Sequence, residues 1–134
     1  MENKLDHESA ILELDGIAEA FDIEIDDDKR IELLPAVMQG RLYLSGEKIV
    51  YTLARPTDKL VELKFDEPTG AQAEKAGKGI KATQRDGVTE IDIGEASKMT
   101  TNLASAMSGV PITSILEMKN RDKKVVDIIV GFFK

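Results

Sequence analysis

Apolar residues recur at helical spacing at both ends of the chain and alternate in its middle. From Asp6 to Phe21 they fall at Ile11, Leu14, Ala18 and Phe21, with Ile17 beside them, which predicts an amphipathic helix. Asp6 suits its N-cap and Glu8 the positive end of its dipole, while Gly16 weakens it. Ile31, Leu34 and Met38 predict a second helix over 28–39, capped by Asp28 and stopped by Gly40. Pro35 inside it leaves the carbonyl of Ile31 without its usual donor, so a kink or restart is expected there.

The period then drops to two. Arg41 to Leu44 and Lys48 to Leu53 flank Ser45-Gly46-Glu47, a hairpin signal. After Arg55-Pro56-Thr57-Asp58, the residues Val61, Leu63 and Phe65 alternate with Glu62, Lys64 and Asp66, the pattern of a strand with one buried face. Pro68 ends this strand, and Thr69 is placed to cap a helix through Ala76. Gly77-Lys78-Gly79 and Arg85-Asp86-Gly87 punctuate a polar stretch expected to be a mobile or inserted loop, and Val88 to Ile93 adds a short strand.

Helix resumes near Glu95, with Met99, Leu103 and Met107 on one face, and Gly109 stops it. Pro111 fits the first turn of a short helix through Met118, and Asp122 is expected to cap the last helix. That helix carries Val125, Val126, Ile128, Ile129, Val130, Phe132 and Phe133, more apolar side chains than one face of a surface helix needs. It reads as a core helix with a second face able to dock a partner chain or another copy.

These elements predict an α+β fold, a small antiparallel β-meander packed by N-terminal and C-terminal helices. The whole chain, 1–134, reads as one domain, with a helical N-terminal extension over 1–45 and an α+β core over 46–134.

Composition narrows the function classes. A formal net charge of −7 argues against nucleic acid and anionic membranes as partners. The absence of Cys removes disulfides, thiolate metal sites and Cys nucleophiles. The start Met1-Glu2-Asn3-Lys4-Leu5-Asp6 lacks the apolar run of a signal peptide. A cytoplasmic protein is expected.

No motif supports catalysis or a cofactor. The acidic run Asp22, Glu24, Asp26, Asp28 has calcium-loop spacing, but Asp27 stands where the loop needs Gly and Leu33 where it needs the bidentate Glu. Gly77-Lys78-Gly79 lacks both the upstream Gly and the hydroxyl residue of a phosphate-binding loop. His7, the single His, stands near the start of the chain. A non-enzymatic protein without cofactor or metal is the expectation.

A resemblance extends the reading. Tyr51-Thr52-Leu53, Pro56, Leu63 and Glu67-Pro68-Thr69, followed by Leu103, Gly109-Val110-Pro111, Asp122 and Phe132, resemble the phage tail assembly chaperone family of the Mu and P2 type. The match runs from about Lys48 to Phe133. It implies a non-enzymatic tail assembly chaperone in the bacterial host cytoplasm that binds the phage tape-measure protein and helps recruit the tail-tube protein. The alternative is a structural tail or head–tail connector component retained in the virion. The partner-binding surface expected from the resemblance and the last helix comprises Glu67, Pro68, Thr69, Val126, Ile129, Val130 and Phe133; a homo-oligomer is compatible with it. Family members often occur in two lengths through ribosomal frameshifting, and the ending Phe132-Phe133-Lys134 can be encoded by a slippery run. The expectation is that this chain is the shorter of two such products; the alternative is an ordinary C-terminus.

Overall fold

The computed structural model describes residues 4–78, 82–85, 87–91 and 93–133. Gly79, Asp86, Asp92 and Lys134, which figure in the turn, strand and frameshift expectations, lie outside them. The fold is α+β, as the periodicity predicts. In chain order the elements are α1 (His7–Phe21), α2 (Asp27–Met38), β1 (Leu42–Ser45), β2 (Lys48–Thr52), β3 (Glu62–Phe65), α3 (Gly70–Ala76), β4 (Ala82–Arg85), β5 (Val88–Ile91), α4 (Ile93–Ser108), α5 (Ile112–Leu116) and α6 (Asn120–Gly131).

Strands β1, β2 and β3 form an antiparallel meander in that order, and β4 and β5 form a separate hairpin. In the β1–β2 turn Gly46 has φ 62, a conformation that suits glycine at the first central position of a tight hairpin. The register puts Leu42 opposite Tyr51, Leu44 opposite Ile49, Ile49 opposite Phe65 and Tyr51 opposite Leu63. Alternation therefore gathers these six side chains on one face. They join Ala10, Leu14 and Ile17 of α1, Leu33 and Val37 of α2, Leu103 and Met107 of α4, Ile115 of α5, and Val126, Ile129 and Val130 of α6 in one core. The expected division at residue 45 does not divide this core; it falls at the hairpin turn, and α1 and α2 contribute to the same cluster as α6.

Several local expectations shift. In α2 the N-cap is Asp26, not Asp28, and its side chain accepts from the Lys29 N–H at 2.9 Å. The buried face is Leu33, Ala36 and Val37, whereas Ile31 is 67% exposed. Leu34 and Met38 of the expected stripe are half-buried against the core, so packing against α1 and β1 favours the neighbouring phase without excluding them. Pro35 does not interrupt the helix. It lies on the exposed side, where water can serve the carbonyl that it leaves without a donor. Val61 lies outside β3 and is exposed, while its carbonyl accepts from the Leu53 N–H at 2.9 Å. Pro111 is the N-cap of α5 rather than its first residue. Gly109, at φ 72, ends α4 by donating its N–H to the Ser105 carbonyl at 2.8 Å.

Asp122 is the largest local departure. The N-cap of α6 is Lys119, so Asp122 sits inside the first turn, and it is fully buried. Its carboxylate accepts from the Tyr51 hydroxyl at 2.6 Å and from the backbone N–H groups of Ala54 and Arg55 at 2.8 and 3.0 Å. A buried carboxylate is tolerable only when its lone pairs are occupied, and three donors from β2 and the segment after it meet that condition. The Tyr51 hydroxyl in turn accepts from Arg41 Nη1 at 3.0 Å. The Tyr51 phenol is pushed up to about 12, chiefly by burial and then by its bond to Asp122, with Arg41 acting in the opposite sense.

Two outcomes follow from this network. Replacing Asp122 by Ala leaves a buried hydroxyl and two backbone donors without an acceptor, and should lower stability by about 3 kcal/mol in chemical denaturation. An unfolded tyrosine loses its proton near 10.0, whereas folded Tyr51 keeps it to about 12. The unfolded state thus holds fewer protons across that window, and stability falls as pH rises through it. Tyr51→Phe should therefore be less stable than the wild type at pH below 10, and the gap should close as pH approaches 12. A gap that stays constant with pH would contradict the assignment.

Candidate functional site

The segment after β3 is positioned by a short series of backbone and side-chain bonds. The Asp66 N–H donates to the Met107 carbonyl at 3.0 Å, which fixes the end of β3 to the last turn of α4. Pro68 brings no N–H, and Thr69 then caps α3 as expected. The cap is reciprocal: the Gln72 N–H donates to Thr69 Oγ1 at 3.1 Å, and the Thr69 N–H donates to Gln72 Oε1 at 3.0 Å. Such a capping box matters for a helix this short, which cannot persist on propensity alone. Gln72 Nε2 also reaches the Ala106 carbonyl at 3.4 Å, and Asn102 Nδ2 donates to the Ala76 carbonyl at 3.1 Å, so α3 is moored at both ends to α4.

On the other side, α1 ends at Asp22, which adopts a left-handed conformation at φ 52 and ψ 50. Asp is among the few residues besides Gly that tolerate it. The Ile23 N–H then closes back on the Ala18 carbonyl at 2.9 Å, the wider bond of a Schellman-type ending. This reversal leaves Ala20 and Phe21 facing Glu67 and Thr69 across a groove of about 650 Å³.

The groove has a mixed lining with a small apolar part and an acidic rim. Phe21 and Met107 supply the apolar surface, and Glu47, Asp66 and Glu67 supply three exposed carboxylates. Asp66 shares a surface ion pair with Lys48 at 3.4 Å, while Glu47 and Glu67 have no ion pair among the described residues. Helices α1 and α4 both end here, so the negative ends of two helix dipoles reinforce the carboxylates, offset in part by the start of α3. The chemistry of such a trough is recognition: it can take a few side chains of a docked segment that carries cations beside apolar residues. Among the described residues no group of three or more His, Asp or Glu is placed to hold a metal ion.

The expected partner-binding residues divide. Glu67 and Thr69 line the groove, with half-buried Pro68 between them. Phe133 is half-buried and meets Phe21 edge to face, with ring centroids 5.5 Å apart and planes at 86°. The structure therefore brings the C-terminal aromatic to the wall of the groove containing Glu67 and Thr69, residues distant in sequence. Val126, Ile129 and Val130 are corrected: they are buried in the core, and in this conformation none presents a surface to a partner. The burial of Asp122 orients α6 with these three side chains inward. The sequence reading missed Phe21, Glu47 and Met107 as groove residues. Each carries an ordinary helix or turn signal, and only the chain's path brings them together.

Among the described residues no helix is long and apolar enough to cross a membrane.

Thr69→Ala should cost about 1 kcal/mol in thermal or chemical denaturation, by removing one half of the capping box. Glu67→Lys at the exposed rim should change stability by less than about 0.5 kcal/mol. A Thr69→Ala variant as stable as the wild type would show that the box does not hold α3 in place.

Comparison with protein-family models, with curated proteins and with solved structures finds no match for this chain.

Proposed function

We propose that this chain is a non-enzymatic assembly chaperone for a phage or prophage tail, acting in the bacterial host cytoplasm. Its partner is the tape-measure protein, a long chain whose apolar stripes aggregate when exposed, and it helps recruit tail-tube subunits. The observation that carries this reading is the groove between Phe21 and the Glu67-Pro68-Thr69 segment. Glu67 and Thr69, which carry part of the family resemblance, line this open groove, and this supports the reading. The acidic rim beside Phe21 matches a helical segment in which Lys or Arg lies one turn from Leu, Ile or Met. The net charge of −7 adds solubility to whatever complex forms.

Co-expression with a candidate tape-measure fragment tests the proposal. The wild type should raise the soluble yield of the fragment, and Glu47→Lys combined with Glu67→Lys should remove most of the gain without unfolding the protein. No gain in the presence of folded wild-type protein would overturn the proposal. The protein should also be absent from finished particles by mass spectrometry; its presence there would favour a structural tail or connector component.

A further inference from the structure

Helix α6 shows a second stripe besides the one it gives to the core. Arg121, Lys124, Val125 and Ile128 follow at intervals of three, four and seven residues, so they share a face. They form one wall of a cleft of about 430 Å³ whose other wall is Glu32, Pro35, Ala36 and Gln39 of α2. Arg41, Tyr51, Ala54 and Asn120 complete it, and it shares no residue with the groove at Glu67. This stripe accounts for the apolar excess of the last helix, because Val125 and Ile128 remain half-buried at the cleft while Val126, Ile129 and Val130 fill the core.

The charge of the cleft is opposite to that of the molecule. Arg121 and Lys124 are exposed and have no ion pair among the described residues. Arg41 is held in place. Its Nε donates to Gln39 Oε1 at 2.8 Å, its Nη1 to the Tyr51 hydroxyl at 3.0 Å, and its guanidinium carbon lies 5.6 Å from the centroid of the Tyr51 ring. Glu32 is the one carboxylate in the lining, and Asp122 lies buried beneath, with three donors of its own.

We infer that this cleft docks an acidic amphipathic segment of a partner protein, its carboxylates on Arg121, Lys124 and Arg41 and its apolar side chains on Pro35, Val125 and Ile128. Charge complementarity commits the site to this occupant. Arg41 Nε and Nη1 are engaged by Gln39, Tyr51 and the Thr52 carbonyl, and a guanidinium fixed in advance loses little freedom when its remaining Nη2 donors meet a carboxylate. The apolar strip between the cations calls for aliphatic side chains that a nucleic acid lacks. A long polyanion would also meet the field of a chain whose net charge is −7, whereas a short segment engages the local cations within a screening length. The inference does not depend on the tail-assembly reading, and it concerns a different surface.

The test is fluorescence anisotropy with a labelled helical peptide of about twelve residues built from Glu, Leu and Ala. A second peptide with Gln in place of Glu and a single-stranded oligonucleotide of equal charge serve as competitors. The Glu peptide should bind, and binding should weaken with added salt. The Gln peptide and the oligonucleotide should compete at least about tenfold less well. Arg121→Gln with Lys124→Gln should raise the dissociation constant at least about tenfold while circular dichroism stays unchanged. Glu47→Lys with Glu67→Lys should not weaken binding, which separates this cleft from the groove. No binding by the folded wild type, binding indifferent to the Arg121 and Lys124 substitutions, equal competition by the oligonucleotide, or displacement by inorganic phosphate at the peptide's own concentration would each overturn the inference.

Discussion

The buried carboxylate of Asp122 is the constraint on which the C-terminal half of this fold depends. A charge so placed must be matched by donors, and the donors come from Tyr51 on the central strand and from the backbone of Ala54 and Arg55. The match fixes how the first turn of α6 is set against Tyr51 and the segment after β2. It decides which of the many apolar residues of that helix enter the core and which remain at its edge. It also passes to the surface through the Tyr51 hydroxyl, which accepts from Arg41 and so holds a guanidinium at the wall of the cleft. One interior group thus determines a packing arrangement and a surface charge.

The two surfaces described here use the same two ingredients with opposite signs. The groove at Glu67 sets carboxylates and helix C-terminal ends around Phe21 and Met107, whereas the cleft along α6 sets guanidinium and ammonium groups around Pro35, Val125 and Ile128. An acidic chain that keeps several cations without carboxylate partners forgoes ion pairs available to it in principle. The loss in stability is small, since exposed pairs contribute about 0–1 kcal/mol each. The gain lies in recognition, where unpaired charge remains available to another molecule.

Much of the fold was legible in one dimension. Strict alternation gave the meander and its buried face, Asp6 and Thr69 announced helix starts, and Gly46 and Gly109 marked a turn and a stop. These signals act over a few residues and are written in the chain itself. The phase of α2 was not legible, because Ile31, Leu34 and Met38 mark one stripe and Leu33, Ala36 and Val37 another, and only the surfaces of α1 and β1 decide between them. The candidate site was half legible. Glu67 and Thr69 lie where their sequence context suggested, but their partners across the groove, Phe21 and Glu47, come from elements far away in the chain. The burial of Val126, Ile129 and Val130 was not legible for a similar reason: an apolar run does not say which of its sides is inside.

By itself, then, the sequence determined most element types, though not β4, which falls in the stretch expected to be a loop; it also determined most of the element ends, the excess of negative charge and the surplus of apolar residues near the C-terminus, since all of these follow from local spacing and composition. Tertiary structure alone decided that Asp122 would be an interior acceptor rather than a helix cap, that Phe133 would meet Phe21, and that Arg41, Arg121 and Lys124 would line one cleft. Such outcomes depend on where distant segments meet, and burial changes the energetic meaning of a carboxylate or an aromatic ring in ways that no neighbouring residue records.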